Sequence, residues 1–231
     1  MNLKLIPFLL LAVTIFSCQK ELSLENTTVT VGGGGTQTNE CKACVYIPVC
    51  NGSHFTYYDT INGTGGLITD TLQFIKDTSM SGKTFQKFFA TGNQSYSYTN
   101  CTNGESRLVG FSVVTVGGNN ITKVALIQLK ANLSVGGSWS DTVINQLGQA
   151  IIYNSSIISK GTSSTLNGQT FNDVIHVQIE IGADIPLVGF YVVNSADYYY
   201  AKGVGLIEYI ATDYLSGNVI QHRTLKSYYI P

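Results

Sequence analysis

The run from Asn172 to Ile181, NDVIHVQIEI, sets Ile175, Val177, Ile179 and Ile181 at every second position and His176, Gln178 and Glu180 between them. A period of two sends successive side chains to opposite faces of an extended chain, so this stretch predicts a strand with one apolar and one wet face. Similar runs rich in Val, Ile, Thr, Tyr and Phe recur in HFTYYDT, TLQFIKDT, KTFQKFFAT, SYSYTNC, RLVGFSVVTV, ITKVALIQLKA, AIIYNSSIISK, VGFYVVNS, AKGVGLIEYIA and IQHRTLKSYYI. About eleven strands at such spacing predict an all-β fold: a curved antiparallel sheet, half-barrel or barrel, with at most one short helix. The helix candidate is WSDTVINQLGQA, in which Ser140 or Asp141 would cap and Val143, Ile144 and Leu147 would share a face.

Between the runs stand turn residues that act by mechanism. VGGNNIT, Asn167-Gly168 in LNGQTF, and Ser216 to Asn218 place Gly and Asn, which tolerate positive φ, where hairpins must reverse. MSGKTFQKFF from Met80 and LNGQTFNDVI from Leu166 echo one another. Either a structural unit was duplicated, with Phe85 and Phe171 entering the core, or two hairpins converged on one turn chemistry.

The amino terminus breaks this pattern. Lys4 precedes the apolar block LIPFLLLAVTIF, and the small residue Ser17 stands before Cys18. That order has the shape of a secretory signal, and the block is short of the roughly 20 residues of a membrane span. Ile15-Phe16-Ser17-Cys18 resembles the lipobox of bacterial lipoproteins, in which the cysteine is diacylated on sulfur and becomes the new first residue. The resemblance implies that Cys18 is lipidated and anchors the chain to a membrane, since two or more acyl chains hold stably where one does not. With Gln19 after it, the resemblance favours the outer membrane of a Gram-negative cell, its periplasmic or surface face undecided. Residues 1–17 are thus read as signal peptide, 18–40 as lipid anchor and a glycine-rich flexible tether, and 41–231 as one β domain.

Four further cysteines remain: Cys41, Cys44, Cys50 and Cys101. In an exported chain an even number reads as two disulfides, one local within residues 41–50 and one long bridge to Cys101. A zinc site using Cys41, Cys44, Cys50 and His54 or Cys101 is the rival.

Charged residues make up 12% of the chain and the net charge is -1, without a basic run, which excludes a nucleic-acid partner of the usual kind. LNGQTFNDVIHVQIEI, YYYAKGVGLIEYI and RTLKSYYI together resemble the β half-barrel superfamily of outer-membrane lipoprotein carriers. The resemblance covers roughly residues 167–228 and implies a kink at Gly203-Val204-Gly205, with Leu206 to Ile210 returning along the sheet. Glycines inside a strand pattern fit a sheet that must curl.

No catalytic set assembles. SGKT at Ser81 to Thr84 has Asp77 where a P-loop needs glycine. The three histidines, His54, His176 and His222, have no metal-ligand spacing, and no G-x-S-x-G occurs. His176 and Glu180 share a strand face as an ordinary solvent-facing pair. The expectation is a non-enzymatic binding module without cofactor or metal, taking an apolar or amphipathic ligand such as a lipid in its concavity. The alternative is a structural or adhesive surface module that recognises glycans or a partner protein.

Overall fold

The computed structural model describes residues 44–61, 68–80, 82–92, 94–110, 115–116, 119–120, 124–145 and 148–231. The signal peptide, Cys18, the tether and Cys41 lie outside them. The described residues form strands β1 (His54–Ile61), β2 (Ile68–Met80), β3 (Lys83–Ala90), β4 (Ser95–Thr102), β5 (Glu105–Gly110), β6 (Thr115–Val116) and β7 (Asn119–Asn120). There follow β8 (Val124–Lys130), β9 (Ser138–Ile144), β10 (Ala150–Leu166), β11 (Gln169–Ile185), β12 (Gly189–Ala201), β13 (Gly205–Asp213) and β14 (Val219–Tyr229). No helix occurs among them.

Twelve strands make one antiparallel sheet in the order β8-β5-β4-β3-β2-β1-β14-β13-β12-β11-β10-β9, while β6 and β7 pair only with each other. The order is an up-and-down meander that β1 and β14 complete by pairing across the full length of the domain. The two end strands, β8 and β9, are consecutive in the chain and meet at a seam. There the Asp141 carboxylate accepts the Ile127 N–H at 2.8 Å, and the Trp139 indole N–H donates to the Ile127 carbonyl at 3.0 Å. Side chains thus replace ladder bonds at the last join, and the sheet is a nearly closed barrel.

β9 corrects the predicted helix. Trp139 and Val143 are buried at even spacing while Ile144 is exposed. A helix would have aligned Val143 with Ile144 and Leu147 and lost the seam. Asp141, expected as a cap, satisfies the backbone of the facing strand instead.

The hairpin chemistry is seen directly at Asn167 and Gly168, whose φ values of 51° and 79° give the doubly left-handed turn that closes Leu166 onto Gln169. The echoed turn closes Met80 onto Lys83, and Phe85 and Phe171 are both buried. Along β11 the period-two reading holds: Val177, Ile179 and Ile181 point into the core. At Gly182 the register with β12 shifts, and a Cβ there would lie 2.1 Å from the Tyr191 carbonyl oxygen, so the bend requires glycine. Residues 202–204 form the turn from which β13 returns.

Candidate functional site

Eight strands enclose a space that side chains alone can fill, and twelve enclose more. The extra space is filled by the chain's own segment Cys44 to Cys50. Pro48 is fully buried, Tyr46 and Ile47 pack on one core cluster, and Val49 and Cys50 on the other. This plug is tied to opposite walls. Cys44 is disulfide-bonded to Cys101 of β4, the Tyr46 hydroxyl donates to Asp173 of β11 at 2.8 Å, and the Gly203 N–H donates to the Val45 carbonyl at 2.6 Å. Lys202, 3.0 Å from Asp173, and the Tyr46 hydroxyl hold that carboxyl below the usual carboxylate range. Burial and then Asp173 push the Tyr46 phenol up to about 12.

Between plug and wall remains a cavity of about 100 Å³, lined by Ile47, Pro48, Phe55, Phe88, Gln128 and Tyr200 among others. Ligand pockets run about 300 to 1,000 Å³, so the space is too small for an acyl chain with its headgroup. Large inward tyrosines fill much of the rest. Burial raises the phenols of Tyr198, Tyr200 and Tyr209, and that of Tyr153 to about 12. Also inside, Asp59 is buried and receives Arg223 and both of its oxygens accept from Gln221 at 2.9 Å. The Arg223 guanidinium lies 5.4 Å from the centre of the Tyr57 ring. A buried charge is tolerated only when paired in this way.

The outer face carries the remaining polar chemistry. His176 turns to Asp197 of the next strand, Nε2 to Oδ1 2.7 Å, and stacks on Tyr199 at 4.3 Å. Its partner is therefore on the neighbouring strand, diagonal to it, since Tyr199 faces His176 and Asp197 faces Gln178, and not Glu180 along its own strand. His222 and Glu208 form a second such pair at 2.9 Å. Neither pair lines the cavity beside the plug or the depression over residues 83–84, 100–107 and 132. Among the described residues no group of three or more His, Cys, Asp or Glu is placed to hold a metal ion.

A depression of about 620 Å³ lies on the outside of β3, β4 and β5. On β4 the inner row is Ser97, Thr99 and Cys101, the first two lining the cavity and the third bonded to the plug. Alternation therefore sends Tyr96, Tyr98, Asn100 and Thr102 outward. Asn100 and Thr102 face Arg107 and Glu105 of β5, and Lys83, Thr84, Asn103 and Asn132 complete the groove. Glu105 sits between Arg107 at 2.8 Å and Lys130 at 3.6 Å. Asn100 donates to the Thr84 carbonyl at 2.6 Å and accepts the Thr102 hydroxyl at 3.3 Å.

Of the cysteines singled out from sequence, Cys44 and Cys101 are brought together across 57 residues, and Cys50 is disulfide-bonded as well. Cys18 and Cys41 fall outside the described residues. The groove was invisible in sequence, because its residues come from three strands and two loops. The plug had one signal, the apolar VYIPV held between two cysteines.

No protein-family model matches the chain, and no curated protein matches it. Two solved structures are similar. One is a candidate lipoprotein from Parabacteroides distasonis, with 14% identity and a TM-score of 0.51, matching 80% of this chain and 99% of that one. The other is a candidate exported protein with YmcC-like fold from Bacteroides fragilis, with 7% identity and a TM-score of 0.47 over the same shares. At 14% identity the first likeness shows a shared fold.

Proposed function

We propose that this chain is an exported lipoprotein of the cell envelope, held at the outer membrane through lipidated Cys18, whose barrel is a non-catalytic module that binds on its outside. The observation that carries this reading is the plug: Cys44 to Cys50 occupies the interior that a lipid would need, leaving about 100 Å³. Of the two roles the sequence admits, surface recognition of a glycan or partner protein is favoured over enclosure of an apolar ligand. The envelope location rests on the signal shape and on Ser17-Cys18.

Fractionation followed by native mass spectrometry tests the reading. Wild type should partition with membranes and Cys18→Ser should be released or stall in processing. The released form should carry no tightly held lipid. A stoichiometric lipid in that form, or a Cys18→Ser chain still fully membrane-bound, would overturn it.

A further inference from the structure

We infer that the groove over β3, β4 and β5 binds an acidic oligosaccharide, with Asn100, Asn103, Asn132 and Thr102 reading sugar hydroxyls and Lys83 and Arg107 taking the carboxylate. This rests on the outward-binding reading above and gives it a place and a ligand class.

Size and chemistry agree. The groove's volume of about 620 Å³ falls within the range of small-ligand pockets, roughly 300 to 1,000 Å³. Five of its eight lining side chains are amides or hydroxyls. An amide offers a donor and an acceptor in one plane, and a sugar hydroxyl both donates and accepts, so the two match group for group. A bare anion would use only the donors of these five and leave their acceptor oxygens unmatched. The charge is also uneven: the lining sets Lys83 and Arg107 against Glu105, whose carboxylate is shared with Lys130 at 3.6 Å, in a chain of net charge -1. Lys83 makes no ion pair among the described residues, and Arg107 has five N–H donors of which Glu105 engages one nitrogen. A carboxylate-bearing sugar answers both features.

A peptide is a poorer fit. Peptides that recognise sheets commonly add a strand to an open edge, and β4 is paired on both sides, with β3 and β5.

The groove is held in shape from beneath. Cys101, between Asn100 and Thr102, bonds the inner side of the same strand to the plug. Asn103 and Gly104 turn the β4-β5 hairpin at φ 54° and 76°, and the Gly104 carbonyl accepts the Ala131 N–H at 2.8 Å, seating Asn132 against the turn. Pre-set groups bind with less ordering cost.

The test is calorimetric titration of the detergent-solubilised full chain with trisaccharides containing galacturonate, glucuronate or sialic acid, with their neutral counterparts and with inorganic phosphate. At least one acidic trisaccharide should bind about tenfold tighter than its neutral counterpart, and Lys83→Gln or Arg107→Gln should each remove about tenfold of that affinity. Asn132→Ala should weaken acidic and neutral sugars alike. Phosphate should not compete at equal concentration. No preference for any acidic sugar, binding unchanged in both Lys83→Gln and Arg107→Gln, or displacement by phosphate would overturn the inference. Lipid in the interior would instead sink the outward-binding reading, which this titration does not address.

Discussion

Replacing Cys44 and Cys101 together by alanine removes the tie between plug and wall while leaving the plug's buried contacts in place. The bridge spans 57 residues. In chain-entropy terms, closing such a loop takes about 14 cal/mol/K from the unfolded chain, or about 4 kcal/mol at room temperature. The folded state loses little, because Pro48 stays buried and the Tyr46-Asp173 and Gly203-Val45 hydrogen bonds remain. For a domain of this size a urea slope of about 2 to 3 kcal/mol/M is expected, so the unfolding midpoint should fall by roughly 1.5 to 2 M. Urea unfolding of wild type and double variant, followed by far-UV circular dichroism and by Trp139 fluorescence, reads both midpoint and slope. The native spectrum should survive at zero urea. An unchanged midpoint with an unchanged slope would refute the reasoning, since a loop already closed by residual structure gains nothing from the bridge. A variant unfolded without urea would show that the bridge, and not burial, holds the plug.

At the seam, Asp141→Ala should leave the buried Ile127 N–H without its acceptor, costing about 1 to 3 kcal/mol and speeding hydrogen exchange at that amide; exchange as slow as in wild type would show that β8 and β9 pair by other means. Stability should also fall at alkaline pH. Tyr153 and Tyr46 ionise near 12 when folded, against 10.0 for the free phenol. Between those values the unfolded chain has released protons that the folded one still holds, so their contribution is complete below 10.0 and is lost as pH rises towards 12. Tyrosinate absorbance should appear together with unfolding; titration of all 14 tyrosines at the free value without unfolding would contradict the burial.

What the sequence determined by itself is local. Alternation such as Ile175, Val177, Ile179, Ile181 dictates extended chain with a buried face, because an extended backbone has no other way to segregate those side chains. Asn167-Gly168 dictates a reversal, because few other pairs adopt two left-handed conformations in a row. The cysteine count pointed to cross-links, and Ser17-Cys18 pointed to an anchor. Alternation says that a face is covered, however, without saying by what. That Cys44 to Cys50 covers it from inside was decided by closure of β1 onto β14, a pairing between the two ends of the domain that no local pattern encodes. Asp141 shows the same limit: its neighbours in sequence read as a helix cap, and only the arrival of β8 alongside gave its carboxylate a backbone N–H to accept. The outer groove likewise exists because three strands in register set Asn100, Arg107 and Lys83 on one side of a sheet whose other side is held to the plug, and register between strands is a property of the folded chain.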